Sequence, residues 1–387
     1  MDLELIRQDT RGCTDKIFLN SAGGSLMPEV VVKAMTDHIL LEQQHGGYEA
    51  ADRNTEHIQR FYTETSKLIN TQPHNIAGMV SSTDGYSKAL SSIAFKNGDV
   101  IITTNDDYVS NQIAFFSLQK KIGIKIIRIK NLPDHELDLE DLENLIKKHH
   151  PKLVSVTHIP TNSGLIQNVE EVGKICRRYD VLYLVDACQS VGQLVVDVEK
   201  IGCDFLTVTG RKFMRGPRGT GFLYVSDRVL ERNMAPVFLD MCGAEWTEFN
   251  DYKLSATAKR FEQWETSISS LLGLVEAMKY ANNIGLANIE NYNLQLAKDL
   301  RIGLQNNGLR VLDEGKNLSS IVTFCAQDGS IENIYRRLKE NTIYFSVSNK
   351  SNALIDFTFK NVEKAIRLSP HYFNTSDEIE TVIKMLK

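Results

Sequence analysis

The sequence predicts an α/β fold, with a large domain on a mostly parallel sheet followed by a smaller C-terminal α/β domain. Three observations carry this expectation. Short apolar, β-branched runs alternate with helical stretches from about residue 75 to 230, the signature of strand–helix–strand units. Near Phe261 the pattern changes to long helical stretches followed by a second, shorter set of strands. No internal repeat or low-complexity tether separates the two parts, so a helix is expected to join them. The expected division is an N-terminal arm at 1–16, a large domain at 17–260, and a linking helix with the small domain at 261–387.

Each element has a local reason. Strands are expected at 100–104, 124–129, 153–158, 181–186, 205–209 and 221–225, all short and rich in Val, Ile and Leu. Helices are expected at 84–95, 139–148 and 169–179, between several of these strands. Beyond residue 260, helices are expected at 267–283 and 289–306, then strands at 308–312 and 321–325, a helix at 331–340 and further strands to 366. A last helix begins at Thr375, where Thr375 and Glu378 stand three apart before apolar residues at 379, 382 and 383, the spacing of a capping box.

Composition narrows the function classes. Apolar residues are 42% and charged residues 24% of the 387, enough for an ordinary packed core. The net charge of −5 supplies no global basic field for nucleic acid. No apolar run reaches the length of a membrane span, and the acidic start Met1–Ile6 has no signal-peptide pattern, so a cytoplasmic protein without a membrane partner is expected. Six cysteines occur without a C-x-x-C pair, which reads as free buried thiols and no metal site. Cys242, in the loop 240–245, is the one cysteine singled out for a reactivity test.

Chemistry enters at two strand ends. Asp186 closes one apolar run and Lys212 follows another, 26 positions later, one strand–helix–strand step away. Ligands of such sheets bind beyond the carboxyl ends of the strands. An amine and a carboxylate delivered to one rim are what pyridoxal 5'-phosphate requires. The lysine binds the cofactor aldehyde covalently, and the acid keeps the pyridinium nitrogen protonated. Taken alone, Asp186 is more often a helix N-cap or a solvated strand terminus, and the loop with Arg211, Arg215 and Arg218 more often a solvated basic loop or a phosphate-binding turn.

Further candidates gather around this pair. Ser82 and Thr83, in Ser81-Ser-Thr-Asp-Gly-Tyr86, precede a helix whose free N–H groups suit a phosphate, or form a plain N-cap. Thr209 and Arg211 flank Lys212 and complete a phosphate cup. Tyr108, just after a strand, is placed to stack on a flat ring or to sit half-buried in the core. Asn162 and Gln189 also follow strands, as contacts for a phenolic oxygen or as turn residues. Arg367 is a lone cation in an apolar and small-residue stretch, suited to a carboxylate clamp or to a surface ion pair.

Together these segments resemble the class V aminotransferase family, which includes cysteine desulfurases. The likeness runs from Phe18-Leu-Asn-Ser-Ala-Gly-Gly24 to Tyr372-Phe-Asn-Thr375, and is strongest in Val185-Asp-Ala-Cys-Gln-Ser-Val-Gly192 and in Thr209 to Gly221. It implies the type I fold of pyridoxal phosphate enzymes and a homodimer with shared active sites. By position it makes Lys212 the cofactor-linked lysine, Asp186 the pyridinium partner, and Gln189 and Asn162 the phenolic-oxygen contacts. Ser82, Thr83, Thr209 and Arg211 become the phosphate contacts, Tyr108 the stacked ring, and Arg367 with Asn20 the substrate-binding residues. Trp264 and Glu265 fall where the family reaches across the dimer, with Thr266 available in place of Glu265. Arg215, Arg218, Glu49 and His45 are candidates for the substrate end or subunit boundary.

The departures bear on the reaction. Desulfurases carry histidine before the lysine, where Arg211 stands, and commonly stack histidine, where Tyr108 stands. They also need a mobile cysteine before the carboxylate arginine, and 342–352 contains none. The motifs Gly46–Glu49, Gly210–Gly221 and Arg367–Asn374 resemble more nearly the ergothioneine-pathway C–S lyases of the hercynylcysteine sulfoxide lyase type. The expected activity is therefore β-elimination from a cysteine conjugate or its sulfoxide. The alternatives are transamination or racemisation of an amino acid, and lastly a non-catalytic scaffold.

Overall fold

In the computed structural model, residues 1–326 and 331–387 are described, and seven strands make the central sheet. They are β1 (Ile76–Met79), β2 (Val100–Thr103), β3 (Lys125–Arg128), β4 (Leu153–Thr157), β5 (Leu182–Asp186), β6 (Phe205–Thr209) and β7 (Gly221–Val225). Their spatial order is β1-β7-β6-β5-β4-β2-β3. Strands β2 to β6 run parallel, while β7 is antiparallel to both β6 and β1. The sheet is mostly parallel, as the alternating pattern predicts. Strands β4 to β7 are buried along their whole length, which is why their sequences read as continuous apolar runs rather than as alternation.

Helices cover both faces. Val169–Arg178 buries Val169, Val172, Ile175 and Cys176, with Glu170 and Glu171 in its first turn and Arg177 and Arg178 in its last, charges that complement the helix dipole. Ser82–Ser91 starts two residues before the expected 84–95 because the Ser81 side chain accepts from Asp84 N and caps it. Gly221 lets this turn come close: a Cβ there would meet Val208 O at 2.3 Å and Ser82 N at 3.4 Å.

The second sheet has four antiparallel strands, Arg310–Val311, Val322–Cys325, Lys364–Leu368 and Ser346–Asn349, in that order across the sheet. Leu296, Leu300, Leu304, Leu338, Ile379 and Val382 pack on it. The expected capping box at Thr375 and Glu378 is present. The chain start joins this part: Ile17–Phe18 pairs with Ile343–Tyr344, and Asn20 bridges to Ser369.

Several elements went unassigned in the sequence. Glu29–His45 and Thr55–Ile69 are helices packed against Ile268–Ile284. Glu29–His45 buries only Val31 and His38 and leaves Val32, Ile39 and Leu40 exposed, so its pattern is blurred. The hairpin Ala244–Glu248 with Asp251–Leu254 is almost wholly exposed and shows no apolar alternation. Among the described residues no helix is long and apolar enough to cross a membrane.

Candidate active site

The carboxyl ends of β4, β5 and β6 line up in register, Thr157 beside Asp186 and Asp186 beside Thr207. Beyond them lies a cavity of about 190 Å³. Ser82, Thr83, Tyr108, Asp186, Gln189, Thr209, Arg211 and Lys212 all line it. Eight of the residues singled out in the sequence are thus brought to one place by the sheet topology.

Lys212 is buried, its Nζ 5.8 Å from the centroid of the Tyr108 ring. Burial lowers its pKa; Cys188 and Asp186 oppose that, while Arg211 and Arg367 reinforce it. Asp186 is held at both oxygens: Oδ1 accepts from Cys188 N at 3.0 Å and Oδ2 from Asn111 Nδ2 at 3.0 Å. At the other end, Ser82 and Thr83 open a helix whose first N–H groups lack intrahelical partners, and Ser82 Oγ donates to Thr207 Oγ1. Arg211 reaches back to the Gly23 carbonyl, and burial followed by the Arg218 charge lowers its pKa.

Gln189 donates from Nε2 to the Ala22 carbonyl at 3.1 Å, leaving Oε1 buried without a partner. Arg367, on its strand in the second sheet, donates from Nη1 to Thr161 O at 3.0 Å, and its Nε is likewise buried without a partner. Burial, then the Arg211 charge, pushes the Arg367 pKa down to about 10. Asn20, bridged to Ser369 two residues past Arg367, also keeps a buried Oδ1 free. Such unsatisfied buried groups are costly unless a ligand meets them. A carboxylate at one end, an amine in the middle, a helix N-terminus with hydroxyls at the other, and spare amide capacity between them fit pyridoxal phosphate. Asp186, Lys212, Ser82, Thr83, Thr209, Arg211, Gln189 and Tyr108 would hold it.

Arg367 and Asn20 are not among the residues that line the cavity, which Arg367 borders through Thr161, and two further candidates sit elsewhere. Asn162 lines a neighbouring cavity of about 220 Å³, which meets the first at Thr161. Its Nδ2 donates to Asn352 O and its Oδ1 accepts from Ser348 Oγ at 2.5 Å, so its amide is committed there rather than to the cofactor cavity. Arg215 is not at a substrate end. It is fully buried, donates to Leu26 O and Thr10 Oγ1, and lies over the rings of Tyr372 and Phe373. Arg218 lines the cavity, whereas His45 and Glu49 are exposed.

The cysteines also sort differently from expectation. Cys242 faces a third cavity of about 580 Å³, where burial and Glu262 push its thiol up to about 11, against a reactive thiolate. Cys188, read as a buried strand thiol, is the cysteine that lines the cofactor cavity; burial and Asp186 push it up to about 12. Asp107, Asn111 and Thr157 were missed as site residues. Asp107 and Asn111 flank Tyr108 in the chain, but nothing in their spacing reveals the contact of Asn111 with Asp186.

Comparison with known proteins completes the picture. A family model described as Aminotransferase class-V matches residues 17–382. A relative from Pyrococcus abyssi named "Probable cysteine desulfurase" is 30% identical over 395 residues, covering 99% of this chain and 96% of its own. The apo structure of a cysteine desulfurase from Thermococcus onnurineus superposes with a TM-score of 0.90 at 27% identity, covering 98% of this chain and 96% of the other. The cystine C–S lyase C-DES, in complex with its product cysteine persulfide, shares the fold at TM-score 0.87 and 21% identity, over 97% of this chain and 98% of the other.

Proposed function

The chain belongs to the class V aminotransferase family of pyridoxal phosphate-dependent enzymes, and from that premise we propose that it cleaves a C–S bond by β-elimination from a cysteine conjugate or its sulfoxide. The observation that carries this reading is the absence of a desulfurase-type thiol: 342–352 contains no cysteine, and Cys188, the cysteine lining the cavity, is held as a neutral thiol. The cavity thus pairs an acid–base amine with no sulfur acceptor.

The bound cofactor supplies an electron sink for negative charge at the substrate α-carbon. The residues do the rest. Arg367, with a free Nε donor, would take the substrate carboxylate and orient the α-carbon; Asn20 remains a candidate for the same end. Lys212 Nζ, its proton affinity lowered by burial, accepts the α-proton. Asp186 would hold the proton of the cofactor's ring nitrogen, which would favour negative charge in the ring. The C–S bond would break as a Cα–Cβ double bond forms, its electron pair leaving on sulfur as thiolate or sulfenate, which can take back the proton held by Lys212; water would then hydrolyse the released enamine to pyruvate and ammonia. Tyr108, whose ring lies 5.8 Å from Lys212 Nζ, would stack on the cofactor ring.

A second reading, desulfuration of cysteine, is favoured by the names of the relatives. The ergothioneine-pathway likeness rests on sequence motifs alone, and transamination or racemisation are alternative outcomes set by where a proton is returned. We further propose a cytoplasmic homodimer with Trp264, Glu265 and Thr266 at the subunit boundary, all three exposed on the single chain, and the division 1–16, 17–260 and 261–387. The test is a screen of the loaded enzyme with cysteine, cystine, S-substituted cysteines and their sulfoxides, following pyruvate, sulfide and the cofactor spectrum together. Pyruvate without a keto-acid acceptor is the expected result. Sulfide with alanine would replace elimination by desulfuration, and accumulation of the amine form of the cofactor would replace it by transamination.

A further inference from the structure

We propose that Asp107 and Asn111 are positioning residues, a half-buried carboxylate and a buried amide that fix the orientation of Asp186 and place a second negative charge behind it. This rests on the reading of Asp186 as the ring-nitrogen partner. Asn111 Nδ2 bridges two acids, donating to Asp186 Oδ2 at 3.0 Å and to Asp107 Oδ1 at 3.0 Å. With Cys188 N on Oδ1, neither oxygen of Asp186 is free to rotate away.

Asp107 receives only donors. Tyr108 N lies 2.7 Å and Thr157 Oγ1 2.6 Å from Oδ1, while Gln112 Nε2 at 2.6 Å and Thr103 Oγ1 at 3.2 Å reach Oδ2. Burial, the largest influence, raises the Asp107 pKa and the Asp186 charge adds to that, while the donors from Thr157, Asn111 and Gln112 oppose it. Five donors around its two oxygens favour the ionised carboxylate against burial and the Asp186 charge. No ion pair neutralises it among the described residues; the Arg128 guanidinium stops one residue short, on Gln112 Oε1 at 2.5 Å. The Asp107 charge therefore adds to that of Asp186 in the same buried region, where screening is weak. The same carboxylate anchors the backbone of Tyr108, so one group registers both the acid and the stacking ring.

The test uses purified holoenzyme without substrate. Two quantities are read: the pH midpoint of the bound cofactor's visible absorption, and the dissociation constant from titrating cofactor-free protein with pyridoxal phosphate. Asp107→Asn is expected to lower the midpoint by about half a unit or more, since a nearby negative charge stabilises protonated groups on the cofactor. Asn111→Leu is expected to do the same and to weaken binding about tenfold, the scale of one hydrogen bond to a charged group. Weakened binding with an unchanged midpoint in both variants would overturn the proposal, as would loss of cooperative melting in both cofactor-free variants, which would make the pair a prop of the fold. Because no substrate is present, failure of the lyase reading leaves this test intact. A wild-type midpoint in Asp186→Asn would instead remove the reading of Asp186 on which the proposal stands.

Discussion

At the amine of Lys212, burial and charge pull in opposite directions: desolvation lowers the pKa, and Cys188 and Asp186 resist. Lys212→Ala is expected to reduce turnover at least about 1,000-fold, the scale of a positioned acid–base group, and to abolish covalent cofactor attachment, read by mass spectrometry after borohydride reduction. Arg367→Lys, which keeps the charge but loses the planar fork, is expected to raise KM about tenfold or more with less effect on kcat. His158 offers a stability test away from the chemistry. Burial lowers its pKa to about 4, so the unfolded chain binds the extra proton below about 6.5, its ordinary value. Stability is then lost as pH falls from about 6.5 towards 4, by up to roughly 3 kcal/mol. Denaturant unfolding at pH 7 and pH 4.5 should show that loss in the wild type and a smaller one in His158→Gln. Residue type and strand-end position made Lys212 and Asp186 legible in the sequence. Asn162, Arg215 and Asn111 were not, because the direction of each side chain is set by partners such as Ser348, Tyr372 and Asp186 that are remote in the chain.

Elements are held by a few buried polar joints. Arg301, on the helix Leu286–Asn306, donates to Asp313 Oδ2 at 2.8 Å and to Ser319 O at 2.7 Å. Asp313 Oδ1 accepts from Gly164 N and Thr323 N, both at 3.0 Å. The joint ties that helix to the second sheet and to the loop carrying Thr161 on the cavity wall. Asp313→Ala leaves Arg301 buried and unpaired, and is expected to cost roughly 3–5 kcal/mol in denaturant unfolding. Helix existence was legible in the periodic stretch 169–178, whereas the helix Thr55–Ile69, which also buries one face but partly through Thr65 and Ser66, went unassigned. The exposed hairpin at 244–254 escaped because solvent on both sides leaves no hydrophobic period to read.

For the molecule as a whole, exposed aromatics are the outstanding surface feature: Trp246 is 79% exposed, Phe249 90% and Trp264 54%. Groups of this kind mark contact surfaces. Sedimentation equilibrium is expected to give twice the chain mass, and a monomer at micromolar concentration would refute the proposed dimer. The sequence by itself determined the strand–helix alternation, the change of pattern near Phe261, and the amine–carboxylate pair, because local periodicity and strand-end position are written in consecutive residues. Only the tertiary structure decided which side chains meet. It brought Asp107 and Asn111 behind Asp186, turned Asn162 towards Ser348, and buried Arg215 among aromatic rings. These choices depend on contacts between segments far apart in the chain, where packing and the need to satisfy buried polar groups outweigh any local signal.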